Sequence, residues 1–184
     1  PGIAGIGKTA LSAKLLERFT HQRNLLYHRC QDWEGSRAFL EACSEWLAML
    51  GNNDLSDYVT STPVPQVTMV VNLIIEALKN TPALIVIDDL HKVADENFVS
   101  ILRGLTLRVP EAGELGIVMF SRSFRMVVPE TDSSGKSVAY FLPLEGLDQD
   151  SSRQILTAMP DLELQQFLHI YTLSRGHPLV LELI

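Results

Sequence analysis

The chain has 184 residues, 46% of them hydrophobic and 20% charged, and its net charge at pH 7 is −7. That length suits one α/β domain with a small appendage, and the apolar content excludes a disordered chain. The acid surplus, with an isoelectric point near 5.2, argues against direct nucleic-acid binding by this segment, because a phosphate backbone demands a basic face.

Cys30 and Cys43 lack metal-ligand spacing, no apolar run approaches a membrane span, and no signal peptide is visible. These features predict a soluble, cytoplasmic protein with reduced thiols and no membrane partner.

The first predicted element is a loop. From Gly2 the chain reads G-x-x-x-x-G-K-T, the phosphate-cradling Walker A pattern. Gly2, Gly5 and Gly7 let the backbone turn tightly, so that Ile3, Ala4 and Ile6 aim their N–H groups inward with it. Lys8 supplies a compact positive charge for β- and γ-phosphates, and Thr9 a hydroxyl for Mg²⁺. The helix predicted over Ala10 to Thr20 adds its N-terminal dipole, so Ala10 closes the cradle. A P-loop follows a buried strand, and only Pro1 precedes Gly2. The first strand of the sheet is therefore expected to lie before this sequence, and further chain beyond Ile184.

Asn24 to Arg29 reads as a short strand leading into a polar turn. Ser36 is placed to cap a helix whose apolar face is Phe39, Leu40, Cys43, Trp46, Leu47 and Leu50, ended by Gly51. Asn52 to Pro65 is polar, carries two prolines and reads as a loop. Val67 to Leu78 has helical periodicity, and Pro82 breaks it. Ala83 to Leu90 is a continuous apolar run ending in Asp88 and Asp89, the pattern of a strand buried on both faces. A helix over Asn97 to Val109 is expected to stop at Pro110. A strand over Gly116 to Phe120, a polar hairpin or loop over Pro129 to Lys136 and a last strand over Val138 to Leu142 follow. From Asp148 the pattern is helical only: Ser151 to Met159, Leu162 to Ser174 and Leu179 to Ile184. The whole predicts a three-layer α/β/α parallel sheet over residues 1–142, then a small helical subdomain over 143–184.

Ligands of open parallel sheets bind at the carboxyl ends of the strands. Asp88, at such an end, is placed to hold Mg²⁺ opposite Thr9, and Asp89 to orient or deprotonate an attacking water. Arg122 follows the next buried strand, where its guanidinium can read a γ-phosphate. The plain alternative pairs it with a carboxylate such as Glu130, and Arg125 competes for its role. His177 and Pro178 need no function on chain physics, since glycine ends one helix and proline opens the next. His91 reads as structural, and Trp33, Trp46 and Tyr27 as core or loop-anchoring aromatics.

Four stretches together resemble the STAND class of P-loop ATPases, which includes NB-ARC, NACHT and MalT-like proteins. They are Gly2 to Thr9, Leu84 to His91, Val118 to Arg122, and Leu142 to Leu147 followed by Gly176-His177-Pro178. The style of Leu26 to Leu50 is closest to archaeal and bacterial members. The resemblance implies that Gly7, Lys8 and Thr9 bind phosphate and Mg²⁺, Asp88 is the Walker B acid and Asp89 the water-activating carboxylate. It also implies that Arg122 is the sensor and that Pro178 contacts adenine. The expected function is an ATP- or ADP-binding switch that hydrolyses slowly and forms a homo-oligomer in its ATP state, alongside other domains of a longer chain. The rivals are a AAA+-type motor or loader remodelling protein or nucleic acid, and a module that only binds nucleotide.

Overall fold

The computed structural model describes residues 2–122, 131, 135, 137–156 and 162–184. Three parallel strands form its sheet in the order β1 (Asn24–Arg29), β2 (Ala83–Asp88), β3 (Leu115–Met119). All six residues of β2 are buried, as expected for a central strand covered on both faces. Leu84 and Val86 face α1 (Lys8–Phe19), where Leu15, Leu16 and Phe19 pack on them. Ala83, Ile85 and Ile87 face the opposite way. There they join the main core with α2 (Ser36–Met49), α4 (Val67–Ala77) and α5 (Glu96–Ala112). Three layers result, as the sequence predicts.

The C-terminal helices α6 (Gln149–Ile155), α7 (Leu164–Ser174) and α8 (Pro178–Glu182) close around a second, smaller cluster of Leu156, Phe167 and Leu181. The Arg153 guanidinium lies 5.6 Å from the centre of the Phe167 ring, within cation–π range. No helix among the described residues is long and apolar enough to cross a membrane.

Several expectations are corrected. The stretch read as a loop over 52–65 contains α3 (Asp54–Ser61), anchored by the fully buried Leu55. Asn52 Oδ1 accepts the Asp54 N–H at 3.1 Å, and Asp54 and Asp57 sit in the first turn, where acids suit the helix dipole. Pro110 does not stop α5, which continues to Ala112 and ends at Gly113. So near the end the proline forfeits one backbone bond, and the fully buried Ala112 still accepts from Asn80 N–H at 3.0 Å. Residues 138–142 form no strand, and Tyr140 is 92% exposed. An antiparallel bridge between Thr131 and Ser137 is what the described residues keep of the hairpin region. Trp46 is core, whereas Trp33 is exposed.

Ser36 is not the cap of α2 but its first residue, and its N–H donates to Asp95 Oδ2 at 2.7 Å. The other oxygen, Oδ1, accepts Asn97 N–H at 2.7 Å and Phe98 N–H at 3.2 Å. One carboxylate thus caps α2 and α5 together. Burial alone would raise the Asp95 pKa, but these donors outweigh it and hold the carboxyl below its ordinary value. A depressed folded pKa means that the stabilisation is complete above the unfolded carboxylate range and is lost as pH falls through the folded value. With two caps removed, Asp95→Ala should cost about 2 kcal/mol in urea unfolding at pH 7. Asp95→Asn should flatten the acid limb of the stability profile while losing less at neutral pH. An unchanged midpoint for Asp95→Ala would refute the double cap.

Candidate functional site

The glycine loop is fastened beside β3 by one backbone bond, Gly2 N–H to the Ser121 carbonyl at 3.1 Å. Gly7 precedes α1 with φ of 95°, a left-handed conformation that L side chains rarely adopt, and the space a Cβ would fill is open. No side chain caps α1, so its first-turn N–H groups remain for an anion. Lys8 is buried, and its Nζ donates to the Gly2 carbonyl at 2.6 Å and the Ile3 carbonyl at 2.7 Å. Burial, and secondarily the Arg122 charge, push its pKa below the usual lysine value against the pull of Asp89 and Asp88. Ala10, next after Thr9 in α1, is exposed.

Asp88 is fully buried at the end of β2. Its Oδ2 accepts from Thr9 Oγ1 at 3.1 Å and from the Tyr27 hydroxyl at 3.2 Å, while Oδ1 accepts the Asp89 N–H at 2.8 Å. Burial first, then the Asp88 charge and this hydrogen bond, raise the Tyr27 pKa, so the phenol stays a donor at neutral pH. The Thr9 hydroxyl and Asp88 carboxylate are hard oxygen donors beside open loop space, a set that fits Mg²⁺ accompanied by phosphates.

Asp89 leaves the strand with φ of 56°. Its Oδ2 meets Arg29 Nε at 3.1 Å and Lys92 Nζ at 3.2 Å. Burial would raise its pKa, but the bonds from Arg29 and Lys92 prevail and lower it. The carboxylate expected to face a water is therefore held between two cations. His91 lies in the short 3-10 turn Leu90–Lys92, its Nδ1 buried without a hydrogen-bond partner.

Arg122 is exposed on the wall of a cavity of about 460 Å³, shared with Ile3, Ile6, Leu144, Glu145 and His177. Arg125 and Glu130, its competitor and its alternative partner, lie outside the described residues. The far wall is the turn between α7 and α8. There His177 Nε2 donates to the Ala4 carbonyl at 2.9 Å, and a Cβ on Gly5 would come within 2.7 Å of Leu179. Leu147 N–H donates to the Gly176 carbonyl at 2.8 Å, and a Cβ on Gly146 would overlap the Arg175 carbonyl. Pro178 opens α8, half-buried, while His177 and not Pro178 contributes to the cavity wall.

Sequence reasoning missed Tyr27, Arg29 and Lys92. Alternation along β1 is the signal that reaches the first two: Leu26 and His28 are buried, whereas Tyr27 and Arg29 are exposed. Pairing in register sets Tyr27 beside Val86 and Arg29 beside Asp88.

The chain matches no protein-family model and no curated protein. It is similar to the crystal structure of Cdc6p from Pyrobaculum aerophilum, at 18% identity and a TM-score of 0.57 over 85% of this chain and 40% of that one. It is also similar to the Aeropyrum pernix ORC1 protein, solved in complex with DNA, at 17% identity and a TM-score of 0.56 over 98% of this chain and 50% of that one. The chain thus spans half or less of each of these proteins. At such identities the likeness speaks for architecture, and together with the parallel sheet between helical layers it shows an α/β P-loop NTPase fold.

Proposed function

We propose that the chain is the adenine-nucleotide-binding module of a STAND-type switch ATPase. One observation carries the reading: Thr9 Oγ1 and Asp88 Oδ2, 79 residues apart in sequence, meet at 3.1 Å beside the buried Lys8. Residues Gly2, Ile3, Ala4, Gly5, Ile6, Gly7 and Ala10 would cradle the phosphates, with Thr9 and Asp88 holding Mg²⁺. Mg²⁺ held there would supply neutralisation of phosphate charge. Lys8 exchanges its loop carbonyls for phosphate oxygens, and Arg122 reads the γ-phosphate from the cavity wall. The base lies in the cavity beneath His177, with Pro178 behind it. Residues 143–184 act as the movable cover, and ATP opens it towards a homo-oligomer and the other domains of a longer chain.

The grip of Arg29 and Lys92 on Asp89 supports slow turnover, because a carboxylate engaged by two cations is a poor base for water. A AAA+-type motor or loader has the same site but turns over quickly. The likeness to Cdc6p and ORC1 keeps that reading in play, while the net charge of −7 weighs against DNA binding by this segment. A module that only binds nucleotide would leave Asp89 idle.

Lys8→Ala should weaken ADP binding on the order of 100-fold in isothermal titration, the loss of a charge-assisted phosphate contact of about 3 kcal/mol. Unchanged affinity would sink the nucleotide assignment. Arg29→Ala should speed basal ATP hydrolysis about five-fold, since it removes one of the two cations that hold Asp89. Loss of hydrolysis in Asp89→Asn separates the switch from the binding-only module, and steady-state turnover that is fast and cooperative would favour the motor.

A further inference from the structure

We infer that Tyr27 is a positioning residue for the metal-facing oxygen of Asp88, setting Mg²⁺ affinity at a nucleotide site it does not itself touch. The inference rests on the nucleotide reading above. Its basis is the crowding on one carboxylate. Asp88 Oδ1 is taken by the Asp89 N–H, which leaves Oδ2 as the oxygen turned towards Thr9. Tyr27 donates to that same Oδ2 at 3.2 Å. The Asp89 N–H on Oδ1 and the Thr9 hydroxyl on Oδ2 set the plane of the carboxylate from the turn and from α1. The phenol adds a second donor to Oδ2 from the neighbouring strand and narrows its remaining motion, because β1 and β2 pair in register with Arg29 beside Asp88 and Tyr27 two residues earlier.

The arrangement also survives the arrival of a metal. Thr9 can offer a cation a hydroxyl lone pair and keep its O–H on Asp88 Oδ2. Tyr27 is no ligand in the Walker scheme, so it can go on donating to Oδ2 and hold the carboxylate in place. A donor of this kind, orienting a ligand from behind, is worth about 10- to 100-fold in metal affinity elsewhere. Phenylalanine preserves the ring and its packing while deleting only the hydroxyl.

The test compares wild type and Tyr27→Phe by titration with a fluorescent ADP analogue, once in EDTA and once across a MgCl₂ series. The expected result is a Mg²⁺ midpoint raised about 10-fold or more, with metal-free ADP affinity within about two-fold and an unshifted thermal melt. An unchanged midpoint overturns the proposal. Equal loss with and without Mg²⁺ also overturns it, because the hydroxyl would then serve the fold or the nucleotide and not the metal. If wild type binds ADP but gains nothing from Mg²⁺, Tyr27 has no metal to position and the proposal falls while nucleotide binding stands. If wild type binds no ADP under either condition, the nucleotide reading itself fails and takes the proposal with it.

Discussion

A carboxylate without solvent exposure, Asp88, ends the central strand, and the rest of the site follows from keeping it there. An ionised carboxyl removed from water costs several kcal/mol unless donors replace its hydration. Three donors do so, and each belongs to a different part of the chain. Thr9 ties it to the first turn of α1, Tyr27 to β1, and the Asp89 N–H to the turn that leaves β2. Satisfying one buried group therefore fixes the start of α1, the first strand and the turn after β2 relative to each other. The geometry that suits a metal is the geometry that solvates Asp88 in the metal's absence.

Strand alternation explains which side chains arrive. Leu84 and Val86 face α1, so Asp88 emerges on that same side, under the N-terminus of the helix that begins with Lys8. β1 runs parallel and in register, so Tyr27 and Arg29 share that side, while Leu26 and His28 point to the larger core. His28 lies against the rings of Phe39 and Phe98, and burial lowers its pKa, so it remains neutral packing material. The left-handed turn at Asp89 then swings the second carboxylate out of line, within reach of Arg29 and Lys92. Two adjacent aspartates acquire different environments from one change of backbone hand.

The sequence makes legible whatever depends on local composition. The extent of β1, the apolar run of β2 and the helical faces of α2 and α4 are carried by side chains within a few residues of each other. In α3 the pattern Leu55, Tyr58, Val59 has helical spacing, but three apolar positions among polar neighbours and two following prolines mask it. Pro110 misleads for the opposite reason: a strong local breaker is tolerated because tertiary burial of Ala112 holds the last turn in place. The apolar run over 138–142 reads as a strand, yet a strand needs a partner backbone, and that is a property of the fold. Tyr27 is the clearest case for the site. Its residue type resembles any core aromatic, and only the pairing with a strand 60 residues away gives its hydroxyl a role. Asp95 is similar, since its reach to the N-terminus of α2 is invisible until two helices are set side by side.

The C-terminal helices meet the glycine loop in two ways of unequal strength. At Gly146 and Gly176 two backbones pass so closely that no side chain fits between them, and Leu147 N–H bonds the Gly176 carbonyl. Tyr171 Oη and Ser152 Oγ both donate to the Leu147 carbonyl, at 3.3 and 3.4 Å. That junction is knit by several bonds within the C-terminal segment itself. Across the cavity, by contrast, His177 bonds the Ala4 carbonyl of the glycine loop, a contact worth about 1 kcal/mol net. Its ring bears a second nitrogen buried without a partner, which subtracts from even that modest gain. Leu179 against Gly5 adds apolar contact but no direction. The C-terminal helices are consequently bonded more firmly to their own entry segment than to the glycine loop.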